Sequence, residues 1–273
     1  NEAIPYDKRF DKHVAEKQRL AYHCHPDHYA AQIAALQRLA KARPLALPLH
    51  IAIDQEGDFS CDFARGGVNL LPSAMGMSAT GDPELVFEAY RAVGRQLRAI
   101  GATMVHSPVL DINSNPRNPE ICTRSFGDTA GRVVKYAGAC LRGFMAAGIV
   151  PTAKHFPGRG ASAVDLHHAF DEDKRTLKEF EAGELRPYRR LIAAGLPAVM
   201  MSHQMCPAFG DGRPATVSPA FYRYLRERLG FEGVITTDAM GMKGVLALHE
   251  CLGHACAEAA AAGADLVLAK CHP

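Results

Sequence analysis

Short apolar runs alternate with amphipathic, alanine-rich stretches along the chain, and polar residues close each run. The runs at 49–54, 102–108, 149–155, 198–203, 233–238 and 265–269 have the length of buried strands. Between them, the stretches at 27–42, 82–100, 129–148, 177–195, 218–229 and 250–263 carry helical periodicity. In the first, Ile33, Leu36, Leu39 and Ala40 share one face, and Pro26-Asp27 reads as its start, with Asp27 as the cap. Several of these stretches stop at glycine, which suits a left-handed helix cap. Strands recur every 30 to 50 residues or so, which leaves room for one helix and a loop; right-handed crossovers then allow a doubly wound sheet or a closed barrel.

Polar residues stand at the ends of at least five runs, and no glycine-rich turn follows the first. Both features favour an α/β fold of the (β/α)8 TIM barrel type, in which all strand ends converge on one face. Six candidates leave an eight-stranded barrel short of one or two terminal strands, which would lie before Tyr22 or outside this chain. No repeat, low-complexity tract or linker divides the sequence, so residues 1–273 read as one barrel domain.

Composition removes several classes of function. With 31 Lys+Arg against 29 Asp+Glu, interspersed, the chain has no basic stripe for nucleic acid. No apolar run reaches the roughly 20 residues of a membrane span, and no signal peptide opens the chain as given. The eight cysteines, at 24, 61, 122, 140, 206, 251, 256 and 271, form no C-x-x-C pair and read mostly as reduced thiols, which favours the cytoplasm. The His23-Cys24-His25-Pro26-Asp27-His28 segment collects possible metal ligands at no standard zinc spacing, and the helix start explains it more simply.

The chemistry clusters after the strands. Lys154-His155-Phe156-Pro157-Gly158-Arg159-Gly160 follows one run, and Asp165-Leu166-His167 lies further along the same loop. An Asp two residues before a His can accept the imidazole Nδ1–H and leave Nε2 free for proton transfer. The run 233–238 terminates on Asp238, a carboxylate set against Met240 and Met242. Ile53-Asp54-Gln55-Glu56-Gly57 closes an earlier run, and Leu110-Asp111-Ile112-Asn113 precedes Arg124-Ser125-Phe126.

Together these motifs resemble glycoside hydrolase family 3, in its bacterial β-N-acetylglucosaminidase branch, from about residue 27 to 269 and in the order expected of the family. The resemblance implies a single (β/α)8 barrel that removes terminal β-linked N-acetylglucosamine from cell-wall or chitin-derived saccharides. Configuration is retained through a covalent glycosyl-enzyme, with no cofactor and no metal. It puts the nucleophile on Asp238, the acid/base on His167 oriented by Asp165, and sugar contacts on Asp54, Arg124, Lys154 and His155. Retaining hydrolysis needs an anion to capture the anomeric carbon and a second group to move protons, and a histidine of ordinary pKa, about 6.5, serves both proton steps near neutrality.

The chain departs from the family pattern in three places. Asp58-Phe59-Ser60-Cys61-Asp62 replaces a glycine and a nearby arginine, leaving Arg65 as the nearest; Arg159 stands where His is common; Ala239 stands where some relatives carry a second Asp. Two other readings stay open. One is a phosphorylase, because histidine would not repel phosphate as a carboxylate acid/base would. The other is a barrel that binds glycans without turning them over.

Overall fold

The structure, a computed structural model, describes residues 25–58, 60–63, 67–166 and 170–269. Five of the apolar runs form a parallel sheet. Its strands are β1 (Ala52–Ile53), β4 (Met104–Val105), β5 (Val150–Phe156), β6 (Ala198–Met201) and β7 (Val234–Thr237), adjacent in that order. The register pairs Ala52 with Met104, Met104 with Val150, Thr152 with Ala198, and Ala198 with Val234. The sixth run contributes one parallel bridge, Thr236 to Leu266. The described residues therefore build an α/β fold whose parallel sheet forms half a barrel, rather than eight closed strands. A short antiparallel hairpin, β2 (Gln55–Gly57) with β3 (Ser60–Cys61), follows β1 and was not visible in the periodicity.

The main helices are α1 (Pro26–Lys41), α2 (Ala74–Ala79), α3 (Pro83–Ile100), α4 (Ala130–Ala146), α5 (Leu177–Ala182), α6 (Leu185–Ala193), α7 (Pro219–Arg223), α8 (Lys243–Leu246) and α9 (Leu252–Ala262). Asp82 caps α3 by accepting from the Glu84 and Leu85 amides, and Gly101, at φ 99°, ends it in a left-handed turn. At α1 the cap is His25 rather than Asp27: Pro26 occupies the first turn, which moves the cap one residue outward and leaves Asp27 inside the helix. Residues 23 and 24 of the possible metal cluster lie outside the described residues.

The expected helix at 177–195 is two helices. Gly183 breaks it, and Glu184 turns inward, its carboxylate 2.7 Å from the Arg175 guanidinium. The Glu184 side chain also fills the space a Cβ on Gly158 would need. An ion pair between this buried carboxylate and a partly buried arginine just before α5 has no signature in helical spacing.

The core lies between sheet and helices, where Tyr90, Phe126, Phe144, Phe156 and Tyr188 are fully or almost fully buried. The α3 and α4 helices approach closely at Gly143, where a Cβ would stand 2.6 Å from the Phe87 carbonyl oxygen. No helix among the described residues is long and apolar enough to cross a membrane.

Gly143→Leu would gain about 0.8 kcal/mol in helix propensity. The intruding side chain would push two helix backbones apart, a form of overpacking that costs about 1–3 kcal/mol or more. Urea titration should therefore show a net loss of stability, and equal midpoints for variant and wild type would contradict this account of the helix contact.

Candidate active site

The site is built on the ends of β1, β5 and β7 and on the loops after them. Lys154, inside β5, is almost wholly buried and needs anionic partners. Its Nζ lies 2.7 Å from Asp54 Oδ1 and 2.6 Å from Glu56 Oε1. Glu56 also accepts two bonds from Arg124, at 2.8 Å from Nε and 2.9 Å from Nη2. Burial opposes ionisation of Glu56, but Arg124 and Lys154 outweigh it and hold the carboxyl well below its ordinary range. Lys154 is likewise driven down by burial and held up, with a net rise, by Asp54 and Glu56.

Arg124 reaches on to His155, with Nη2 3.4 Å from the imidazole Nε2. The other ring nitrogen, Nδ1, lies 2.7 Å from Asp111 Oδ2, which orients the ring with Nδ1 as donor. Asp111 also accepts from the His155 and Arg159 amides, and these contacts hold its carboxyl below the ordinary range in spite of burial. Asp54, Arg124, Lys154 and His155 thus form one connected cluster. Asp54, whose side chain is 43% exposed, is its most open member.

Asp238 follows β7, with its amide donating to the Met201 carbonyl and its Oδ1 accepting from the Ala239 amide at 2.7 Å. Burial opposes its ionisation, but His155, Arg159 and the Ala239 amide hold the carboxyl well below the usual range; His203 adds to this when protonated. Burial takes His203 down to about 4, so near neutrality the ring is uncharged. It donates through Nε2 to the Ala239 carbonyl at 3.0 Å and meets the Thr216 hydroxyl at 2.7 Å through Nδ1. Burial also lowers His106, on which the charges of Asp54, Lys154, Asp238 and Glu56 all act.

Asp165 lies partly buried in the loop after β5, within the field of the Arg159 guanidinium. His167 and Arg65 lie outside the described residues. Arg159 is fully buried against Glu120, and Glu120 also accepts from the Leu166 amide at 3.2 Å. Glu56, Asp111, Glu120, Arg159, His106 and His203 were not singled out as site residues. For five of them a signal existed: Glu56, Asp111 and Arg159 sit within the quoted motifs, His203 closes the run 198–203 and His106 lies near the end of the run 102–108. The Glu120–Arg159 partnership spans 39 residues and had none. No group of three or more His, Cys, Asp or Glu among the described residues could hold a metal ion.

A cluster of charged donors beside an ionised carboxylate suits glycosyl transfer. The sequence profile of the glycosyl hydrolase family 3 N terminal domain matches residues 11–273. A β-hexosaminidase of Xylella fastidiosa is 37% identical over 251 residues, 89% of this chain and 71% of that protein. Beta-hexosaminidase A of Pseudoalteromonas piscicida is 34% identical over 227 residues, 77% of this chain but only 38% of the relative. A family 3 β-N-acetylglucosaminidase from Paenibacillus superposes with a TM-score of 0.85 at 39% identity, covering 89% of this chain and 46% of that structure. The chain thus spans less than half the length of the latter two.

Glu56→Gln would leave Lys154 and Arg124 short of one negative charge in a buried setting. Breaking a buried pair in this way costs about 3–5 kcal/mol, so denaturant unfolding should show a loss of that order. A second prediction concerns pH. Because burial lowers the pKa of His50, His106 and His203, the unfolded chain binds more protons than the folded one below an ordinary histidine pKa. Stability should be full above about pH 6.5 and fall towards pH 4, with His203 alone contributing about 3 kcal/mol across that window. In His203→Gln, unfolding free energies measured from pH 7 to 4 should show a shallower slope; an unchanged slope would refute the assignment.

Proposed function

The chain belongs to glycoside hydrolase family 3, and from that membership we propose that it is a retaining exo-β-N-acetylglucosaminidase acting on cell-wall or chitin-derived saccharides. The observation that carries this reading is Asp238, an ionised carboxylate after β7 within the field of His155, a member of the cluster with Lys154 and Arg124. The β-hexosaminidase and β-N-acetylglucosaminidase relatives support the choice of sugar. In this reading residues 1–273 form one catalytic domain, and the half-barrel is part of a (β/α)8 barrel.

Asp238 attacks the anomeric carbon while His167, oriented by Asp165, gives its proton to the departing oxygen. The C–O bond to the aglycone breaks as the ester to Asp238 forms. His167 then removes a proton from water, which attacks the same carbon and returns Asp238 as a carboxylate, so two inversions give net retention. Lys154 and Arg124 donate charge-assisted hydrogen bonds to sugar hydroxyls, His155 lines the same wall, and the open edge of Asp54 accepts from hydroxyls. Because Glu56 and Asp54 already balance the two cations, a neutral sugar enters without leaving a charge uncompensated. Cys122, Cys140, Cys206 and Cys251 stand in no disulfide, which supports a reducing compartment such as the cytoplasm.

The test is p-nitrophenol release from the β-N-acetylglucosaminide and the β-glucoside, with and without phosphate, by wild type and Asp238→Ala. Turnover of the N-acetyl substrate should fall by at least about a thousandfold in the variant, with the fold intact by circular dichroism. Phosphate acceleration with sugar 1-phosphate as product would make the protein a phosphorylase instead. Tight sugar binding without turnover in the wild type would favour a glycan-binding barrel.

A further inference from the structure

Arg159 has the largest of the fully buried side chains, and its charge is poorly accommodated by the protein around it. Nη2 meets Glu120 Oε2, while Nε and Nη1 are buried without a hydrogen-bond partner among the described residues. Replacing a buried ion pair by apolar side chains of similar volume is often neutral or stabilising, so packing alone gives no reason to keep this charge. Its surroundings supply one: the carboxylates of Asp238, Asp111, Asp165 and Asp171 all act on the guanidinium.

Glu120 supplies the mechanical half of the arrangement. The oxygen that meets Arg159 also accepts from the Leu166 amide, the residue after Asp165. Neighbouring bonds fasten the rest of the loop to the same segment. The Asn118 Nδ2 donates to the Arg159 carbonyl at 2.8 Å, and the Asn115 Nδ2 donates to the Ser162 carbonyl at 3.0 Å. At Gly160 a Cβ would stand only 1.6 Å from the Ile112 carbonyl oxygen, so loop and segment are in direct backbone contact.

We propose that the buried Glu120–Arg159 pair is a positioning device for proton transfer: Glu120 tethers the loop at Leu166, and Arg159 holds the Asp165 carboxylate in place by its field. The inference rests on the reading of Asp165 as the group that orients the acid/base. Neither Glu120 nor Arg159 touches substrate in this account. Glu120 Oε1 also lies 3.7 Å from Arg124 Nη1, a longer contact than the two bonds by which Glu56 holds the same guanidinium.

The experiment compares wild type with Glu120→Leu/Arg159→Met, which removes tether and field together, and Glu120→Gln/Arg159→Met, which keeps an acceptor for Leu166. The substrates are 2,4-dinitrophenyl and methyl β-N-acetylglucosaminides, whose leaving groups differ in their need for a proton. In the first variant kcat for the methyl glycoside should fall about 10- to 100-fold, against less than about threefold for the dinitrophenyl one, with any rise in KM the same for both. The second variant should recover part of the loss. Equal losses on both substrates, or a change confined to KM, overturn the proposal. Should the first variant fail to fold, the second still decides: a leaving-group dependence identical to wild type refutes the device. Absence of wild-type turnover on either substrate would instead reject the glucosaminidase reading.

Discussion

Two cations, Lys154 and Arg124, are buried within reach of one carboxylate, Glu56, which compensates both, with Asp54 as the second partner of Lys154. An ammonium removed from water loses several kcal/mol of hydration, which only close, well-aligned anions recover. Glu56 meets that requirement by splitting its oxygens, Oε1 between Lys154 and Arg124 and Oε2 to Arg124. Strand β5, the turn that ends at Arg124 and the hairpin after β1 are thereby locked to one another. The charged cluster takes its shape from that lock.

The lock is anchored in the core through backbone. The Glu56 carbonyl accepts from the buried Tyr90 hydroxyl at 3.0 Å, which couples the hairpin to α3. The next residue is glycine for two reasons: its φ is 121°, and a Cβ would stand 2.3 Å from the Pro72 carbonyl oxygen. The site's precision therefore derives in part from the helix that packs on α4, although no side chain of α3 belongs to the charged cluster itself.

A second charge system, centred on Asp111 and Arg159, shares His155 with the first. Asp111 orients the His155 ring and accepts the Arg159 amide, while Arg159 and His155 both favour the ionised form of Asp238. His203 adds no charge near neutrality and holds the backbone after Asp238 by a hydrogen bond to the Ala239 carbonyl. Paired cations and a carboxylate kept anionic are thus linked through His155.

Strand periodicity located the runs that became β1, β4, β5, β6 and β7, because a buried parallel strand must be apolar on both faces. The same periodicity missed the β2–β3 hairpin, whose residues are short and polar, and it ran α5 and α6 together because the break at Gly183 goes with the pairing of Glu184 to Arg175, before α5. Asp54, Lys154, His155 and Asp238 stand out as polar residues at the ends of apolar runs, while Arg124 and Asp165 lie in loops and are marked by the family motifs alone. The dependence of Lys154 on Glu56, the burial of Arg159 against Glu120, and the choice of His25 over Asp27 as a cap were not legible there. Strand and helix patterns report interactions within a few residues along the chain. The pairing of buried charges depends on which distant segments meet away from water, and only the tertiary structure decides that.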